Sequence, residues 1–227
     1  MITCCESASP LQLLSRIPGP RPPIHSLVMR SRHTSSPGQL DFGLVDDAQA
    51  IREALVVHLR VWRRHARFIN EMGVNHGAAR IDLAVIDDTL DGYEIKGPQD
   101  DLRRLEGQAV AYSQVFDRLT LVVTERHLER AVCLVPTWWG LTLVDASRSV
   151  IRSLRHPGAN PAADPVSIAR LLWQSELAAV LQARDGRRPS GSSAALRRRL
   201  VAEVSPGEVR AVVRRCLTSR ANWRAAG

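Results

Sequence analysis

The chain has 227 residues, 44% hydrophobic and 24% charged, with 31 Lys and Arg against 23 Asp and Glu, for a net charge of +8. That length buries one good core with room for a small appended unit, and no apolar run approaches the roughly 18 residues of a membrane span. The four cysteines, at positions 4, 5, 133 and 216, form no Cys-x-x-Cys pair and have no histidine at metal-ligand spacing, which argues against structural zinc and a disulfide framework.

Residues 1 to 44 read as a disordered leader: the first 40 contain six prolines and no charged-then-apolar signal pattern, and Met29 is an alternative start. A helix capped by Asp46 or Asp47 follows, with Ile51, Leu55, Leu59 and Trp62 at helical spacing and an end near Arg67. Phe68-Ile69 is a short extended piece leading to Glu71 and turns at Gly73 and Gly77. Ile81 to Ile86 is a strand, Asp87-Asp88-Thr89 a turn, and Leu90 to Gly97 the returning strand of a hairpin. Pro98 and Asp100 start a helix to about Phe116, with Leu102, Leu105, Ala109, Tyr112 and Phe116 inward. Leu119 to Val123 is a strand, a short helix surrounds Leu128, a further apolar run spans Val132 to Val135, and Leu141 to Val144 closes the core.

Residues 147 to 227 read as a helical, arginine-rich region. Asp164-Pro165 caps a helix carrying Leu171, Leu172, Leu177 and Leu181 that stops at Gly186. Ser193 starts another, and Ser205-Pro206-Gly207-Glu208 is a capping box for the last. Residues 184 to 227 hold eleven Arg against three acidic residues, which accounts for the whole surplus of +8. Residues 46 to 146 carry twelve basic and sixteen acidic residues, so the core is net negative and needs a cation or a basic neighbour to meet a polyanion. The arginine-rich helices are either solvated faces or the nucleic-acid contact.

Within that core lies Lys96, the only lysine in the chain. Lysine is a compact point charge where arginine is a planar fork, so a lone lysine among arginines is either a place where a guanidinium cannot substitute or a solvated strand residue left by chance. Side chains alternate along a strand, so Glu94 and Lys96 share one face, and the hairpin sets Asp82 beside them. Two carboxylates and an ammonium on paired strands make a site for a hard divalent cation and a phosphate.

Asp82 followed by Glu94-Ile95-Lys96 resembles the PD-(D/E)XK nuclease superfamily, and Gln108-Ala-Val-Ala-Tyr112 on the next helix resembles the Gln-x-x-x-Tyr of its RecB-type branch. The likeness covers about residues 46 to 146 and is strongest to small bacterial members. It implies an α/β fold with a restriction-endonuclease-like mixed sheet flanked by helices, followed by the C-terminal helical appendage. It further implies a Mg²⁺- or Mn²⁺-dependent phosphodiesterase acting on nucleic acid, DNA foremost; the cytoplasmic setting is expected instead from the residues, which show no signal pattern, membrane run or disulfide framework. Asp82, Glu94 and the Ile95 carbonyl would ligate the metal, and Glu71, in the position of an acidic residue from an upstream helix or its end, would complete the site. Lys96 would orient the attacking water, with Gln108 and Tyr112 assisting. Other classes accommodate the same residues. A non-catalytic nucleic-acid-binding or interaction module would keep the fold without metal, and a Schiff-base enzyme would also use a lone lysine. Gln108 with Tyr112 is equally a hydrogen-bonded core pair, and Trp138-Trp139 reads as packing at a strand end.

Overall fold

The computed structural model describes residues 47 to 145 and 151 to 221, so the leader assigned to residues 1 to 44 and the cap at Asp46 lie outside the described residues. Helix α1 (Asp47–Arg60) leads to strands β1 (Arg67–Val74), β2 (Ala79–Ile86) and β3 (Leu90–Lys96). Helix α2 (Leu105–Ser113), strand β4 (Arg118–Thr124), helix α3 (Glu125–Val132), strand β5 (Gly140–Val144) and strand β6 (Ile151–Arg155) follow. Four helices end the chain: α4 (Pro165–Ala169), α5 (Gln174–Asp185), α6 (Ser193–Glu203) and α7 (Pro206–Ser219). The six strands form one mixed sheet in chain order, parallel where β3 meets β4 and β4 meets β5 and antiparallel elsewhere. This is the mixed α/β class, with helices on both faces, that the residue pattern implies.

The alternation of β2 and β3 divides the core. Ile51 and Leu55 of α1 pack with Leu83, Val85, Ile95 and Val122 on one face. On the other face Leu105, Ala109 and Tyr112 of α2 pack with Ile81, Ile86, Leu119 and Leu121. Gly92 sits on this second face, where an added Cβ would stand 2.6 Å from Ile81 Cδ1 and 2.7 Å from Leu119 Cδ2. Gly92→Ala is therefore expected to overpack the sheet and lower stability by about 1–3 kcal/mol in urea denaturation.

The structure departs from the residue pattern in several elements. Trp62 is 76% exposed and not on the inner stripe of α1, because the helix ends at Arg60. The helix expected from Pro98 begins at Leu105, since the Asp100 carboxylate accepts the Gly97 N–H in a turn. Residues 132 to 135 end α3 and enter a turn, so the apolar run there is not a strand, and the next strand after β4 is β5. Strand β6 falls in the stretch expected to be wholly helical and pairs antiparallel with β5. The helix expected through Leu171 and Leu172 is two, α4 and α5. The caps at Asp164 and Ser205 and the left-handed stop at Gly186 are as expected.

The C-terminal helices belong to the main core. Leu177, Leu181, Leu196, Leu200, Val209, Val213 and Leu217 are buried in the same cluster as Ile81 and Leu119. Much of the arginine surplus is consumed internally. Arg210 and Arg214 pair with Asp117, Arg199 with Asp185 and Glu203, and Arg220 with Glu176, while Arg197 donates to the Ala169 carbonyl. Arg187, Arg188, Arg198 and Arg215 are exposed. Among the described residues no helix is long and apolar enough to cross a membrane.

Candidate active site

The site begins where β2 and β3 part. Their ladder runs from Ile86↔Leu90 to Leu83↔Tyr93 and stops. Beyond it β2 stays with β1 through Met72↔Ile81 and Val74↔Ala79, while β3 stays with β4 through Glu94↔Leu121 and Lys96↔Val123. The backbone donor that the fork leaves open, the Ile95 N–H, is satisfied by the Asp82 carboxylate at 2.7 Å. The alternation of β2 also breaks here, for Ile81 joins the α2-side cluster and Leu83 the α1-side one. The fork opens into a cleft of about 840 Å³ whose wall includes Asp82, Glu94, Lys96 and Gln108.

Glu94 and Lys96 share a face as the alternation requires, and both are buried, at 1% and 4% exposure. Lys96 Nζ lies 2.8 Å from Glu94 Oε1 and donates to Gln108 Oε1 at 3.0 Å. An ammonium has three N–H donors, so a third is left over. The Gln108 amide donates to the Tyr112 hydroxyl at 3.2 Å, and that hydroxyl donates to the Arg80 carbonyl at 2.6 Å. One chain of hydrogen bonds thus runs from the backbone of β2 through α2 to the ammonium. Tyr112 is also core: it is fully buried and its ring stacks on Trp139, itself buried, with centroids 6.5 Å apart. Tyr112 is therefore a core residue, while its partner Gln108 reaches the ammonium at the cleft. Tyr112→Phe removes the donor to the Arg80 carbonyl and is expected to lower stability by about 1 kcal/mol. Gln108→Ala, at a half-buried position, should change the melting temperature little, so any loss of activity there reports the orientation of Lys96.

Burial raises the proton affinity of both carboxyls. Asp82 is pushed up to about 7, first by burial and then by the charge of Glu94, against the Ile95 N–H bond and Lys96. Glu94 is raised by burial, with Lys96 opposing. Glu94 Oε2 is buried with no hydrogen-bond partner. Two desolvated carboxyls with an unsatisfied oxygen are what a divalent cation would relieve, and the residues fit such an ion. The Ile95 side chain is buried in the α1-side cluster, and the residue also borders the cleft.

Glu71 differs from expectation. It lies inside β1, not on a helix, with φ +55, a left-handed conformation uncommon for a residue with a side chain. The β1–β2 register steps over it, from Asn70↔Leu83 to Met72↔Ile81, which sets it across from Asp82. Its carboxylate is held by Arg52 and by Arg80 Nε at 2.9 Å. Arg80 therefore serves Glu71 and not Asp82, its neighbour in sequence. Among the described residues no group of three His, Cys, Asp or Glu side chains is assembled for a metal. Arg80, Arg103 and Arg104 line the cleft and are exposed, a basic rim that motif reading passed over. Its one signal was the Arg103-Arg104 pair just ahead of α2.

The family model described as Bacteriophage P4 protein cII matches residues 47–225. Protein cII of Enterobacteria phage P4 is 31% identical over 87 residues, 38% of this chain and 33% of that protein. The chain therefore spans about a third of the length of the curated relative it matches. No solved structure matches it significantly.

Proposed function

The chain belongs to the Bacteriophage P4 protein cII family, and we propose that it is a metal-dependent nuclease of PD-(D/E)XK type, hydrolysing phosphodiester bonds of nucleic acid, DNA foremost. The observation that carries this reading is the convergence of Asp82, Glu94 and Lys96 in one cleft at the β2–β3 fork. Asp82, Glu94 and the Ile95 carbonyl would hold Mg²⁺ or Mn²⁺. When bound, such an ion supplies Lewis acidity to the phosphate and lowers the pKa of water. Lys96 contributes the donor left free by Glu94 and Gln108, steadying the charge that grows on the phosphoryl oxygens and orienting the attacking water. Gln108 and Tyr112 hold that ammonium in place. Arg80, Arg103 and Arg104 offer phosphate partners at the rim. The cytoplasm is the compartment that suits this activity.

Glu71 would join the metal only by leaving Arg52 and Arg80, and this favours one alternative, a module that binds nucleic acid without cutting it. Incubating the purified chain with labelled single- and double-stranded DNA and RNA, with Mg²⁺ or Mn²⁺, separates the two. Cleavage of at least one substrate, stopped by a chelator, is expected. Binding with no cleavage of any substrate and no heat of metal binding would leave the non-catalytic module.

A further inference from the structure

At the opposite end of β3 from the cleft, roughly 20 Å away by strand rise, the segment after α1 carries a second surface. We propose that it binds single-stranded nucleic acid, with Trp62 stacking on an unpaired base and Arg60 and Arg64 meeting the flanking phosphates. The proposal rests on nucleic acid being the ligand, as read above, but not on its being cut.

From Ala54 to Asn70 the sequence has no acidic residue and includes His58, Arg60, Arg63, Arg64, His65 and Arg67. Arg63 points inward, where its guanidinium binds the Asp87 and Asp91 carboxylates. Pinned by that fork, its neighbours Trp62 and Arg64 are exposed, and Trp62 is 76% so. The backbone is held as well: the Trp62 and Arg63 N–H groups donate to the Leu59 carbonyl at 3.1 and 2.9 Å, and the Ala66 N–H to the Arg63 carbonyl at 3.2 Å. The indole is thus presented on a fixed turn.

Arg60 is exposed and its guanidinium lies 5.0 Å over the Phe68 ring, which limits the freedom it would lose on binding. Arg67 donates to the Thr218 carbonyl at 2.6 Å, joining this segment to the end of α7, where Arg215 is exposed. Val57 and Val61 are exposed as well as Trp62, but the arginines set among them match a chain of bases and phosphates, whereas the core of a protein interface is depleted of charge. In a duplex the base faces are already stacked, so the indole selects unpaired bases.

The test uses the full chain in chelator, so that no cleavage intervenes, with labelled oligo-dT, oligo-U and a duplex of equal length. Trp62→Ala is expected to weaken binding of the single strands by about tenfold, and Trp62→Phe to restore most of it. Arg64→Glu should weaken all three and flatten the salt dependence. The dT and U arms report whether DNA or RNA is preferred. Unchanged single-strand affinity in Trp62→Ala overturns the proposal, as does a loss that Phe does not repair. So does a Trp62→Ala change confined to the oligomeric state in sedimentation, which would make the patch an interface between copies. Absence of cleavage by the wild type with metal would remove the nuclease reading and leave these binding outcomes intact.

Discussion

Glu94→Gln is expected to abolish metal-dependent cleavage, by at least about a hundred-fold, while the protein keeps its fold. The amide has the shape of the carboxyl it replaces and can still accept from Lys96, whose Nζ lies 2.8 Å from Oε1. It leaves the buried Lys96 ammonium with neutral acceptors only, which costs some stability, but both hydrogen bonds are kept and the fold should survive. The same cannot be said of every change in the triad. Glu94 and Lys96 are buried, so truncation to alanine is felt by the fold as well as by the site. Lys96→Ala leaves a desolvated carboxylate without its cation and should unfold at lower temperature as well as lose activity. Lys96→Arg should be nearly as inactive, because a planar fork cannot occupy the place of a point charge set between Glu94 and Gln108. Single-turnover cleavage beside thermal melting separates these effects. A Glu94→Gln protein that cuts at the wild-type rate would remove Glu94 from the chemistry.

The second large effect is on stability. A carboxyl raised from 3.8 to about 7 binds its proton more tightly folded than unfolded. The contribution of Asp82 to stability is then greatest at low pH, falls as pH climbs from about 4 to about 7, and levels off above. The loss is of the order of 4 kcal/mol at most, at about 1.4 kcal/mol per pH unit of displacement. Asp82→Asn keeps an acceptor for the Ile95 N–H and has no charge to desolvate. In chelator it should melt near the wild type at pH 4 and higher at pH 8, by up to roughly 10 °C. Mg²⁺ at pH 8 should raise the melting temperature of the wild type and leave that of Asp82→Asn largely unmoved. Parallel pH profiles for the two proteins would mean that Asp82 is ionised in the folded state at no cost.

Local chemistry made the hairpin readable. Ile81 to Ile86 is β-branched and apolar, the acidic turn interrupts it, and alternation then puts Glu94 with Lys96. The capping box at Ser205 and the stop at Gly186 were readable for the same reason, since a few adjacent residues decide them. What eluded the sequence depends on distant partners. Nothing near Glu71 announces that Arg52, nineteen positions earlier, will hold its carboxylate, or that its backbone will turn left-handed inside a strand. A charge count could not tell that Arg210, Arg214 and Arg220 are spent on Asp117 and Glu176. Nor could helical periodicity reveal that α1 stops short of Trp62, because the clasp that turns Arg63 inward is made by Asp87 and Asp91 from another part of the chain. The break between α4 and α5 was hidden by an apolar spacing that continues across it.

The ladder that holds β2 to β3 is four residue pairs long and lies wholly between the Asp87–Thr89 turn and the fork. It therefore buffers the carboxylates against changes in chain length at the hairpin tip, since residues inserted there loop outward before the first pair. A single residue inserted between Tyr93 and Lys96 would turn the lysine onto the face occupied by α1 and separate it from Gln108. Tolerance to insertion along these eighteen residues, 79 to 96, should thus change abruptly over a few positions. A family free to lengthen the tip would still be bound to preserve the count beyond the ladder.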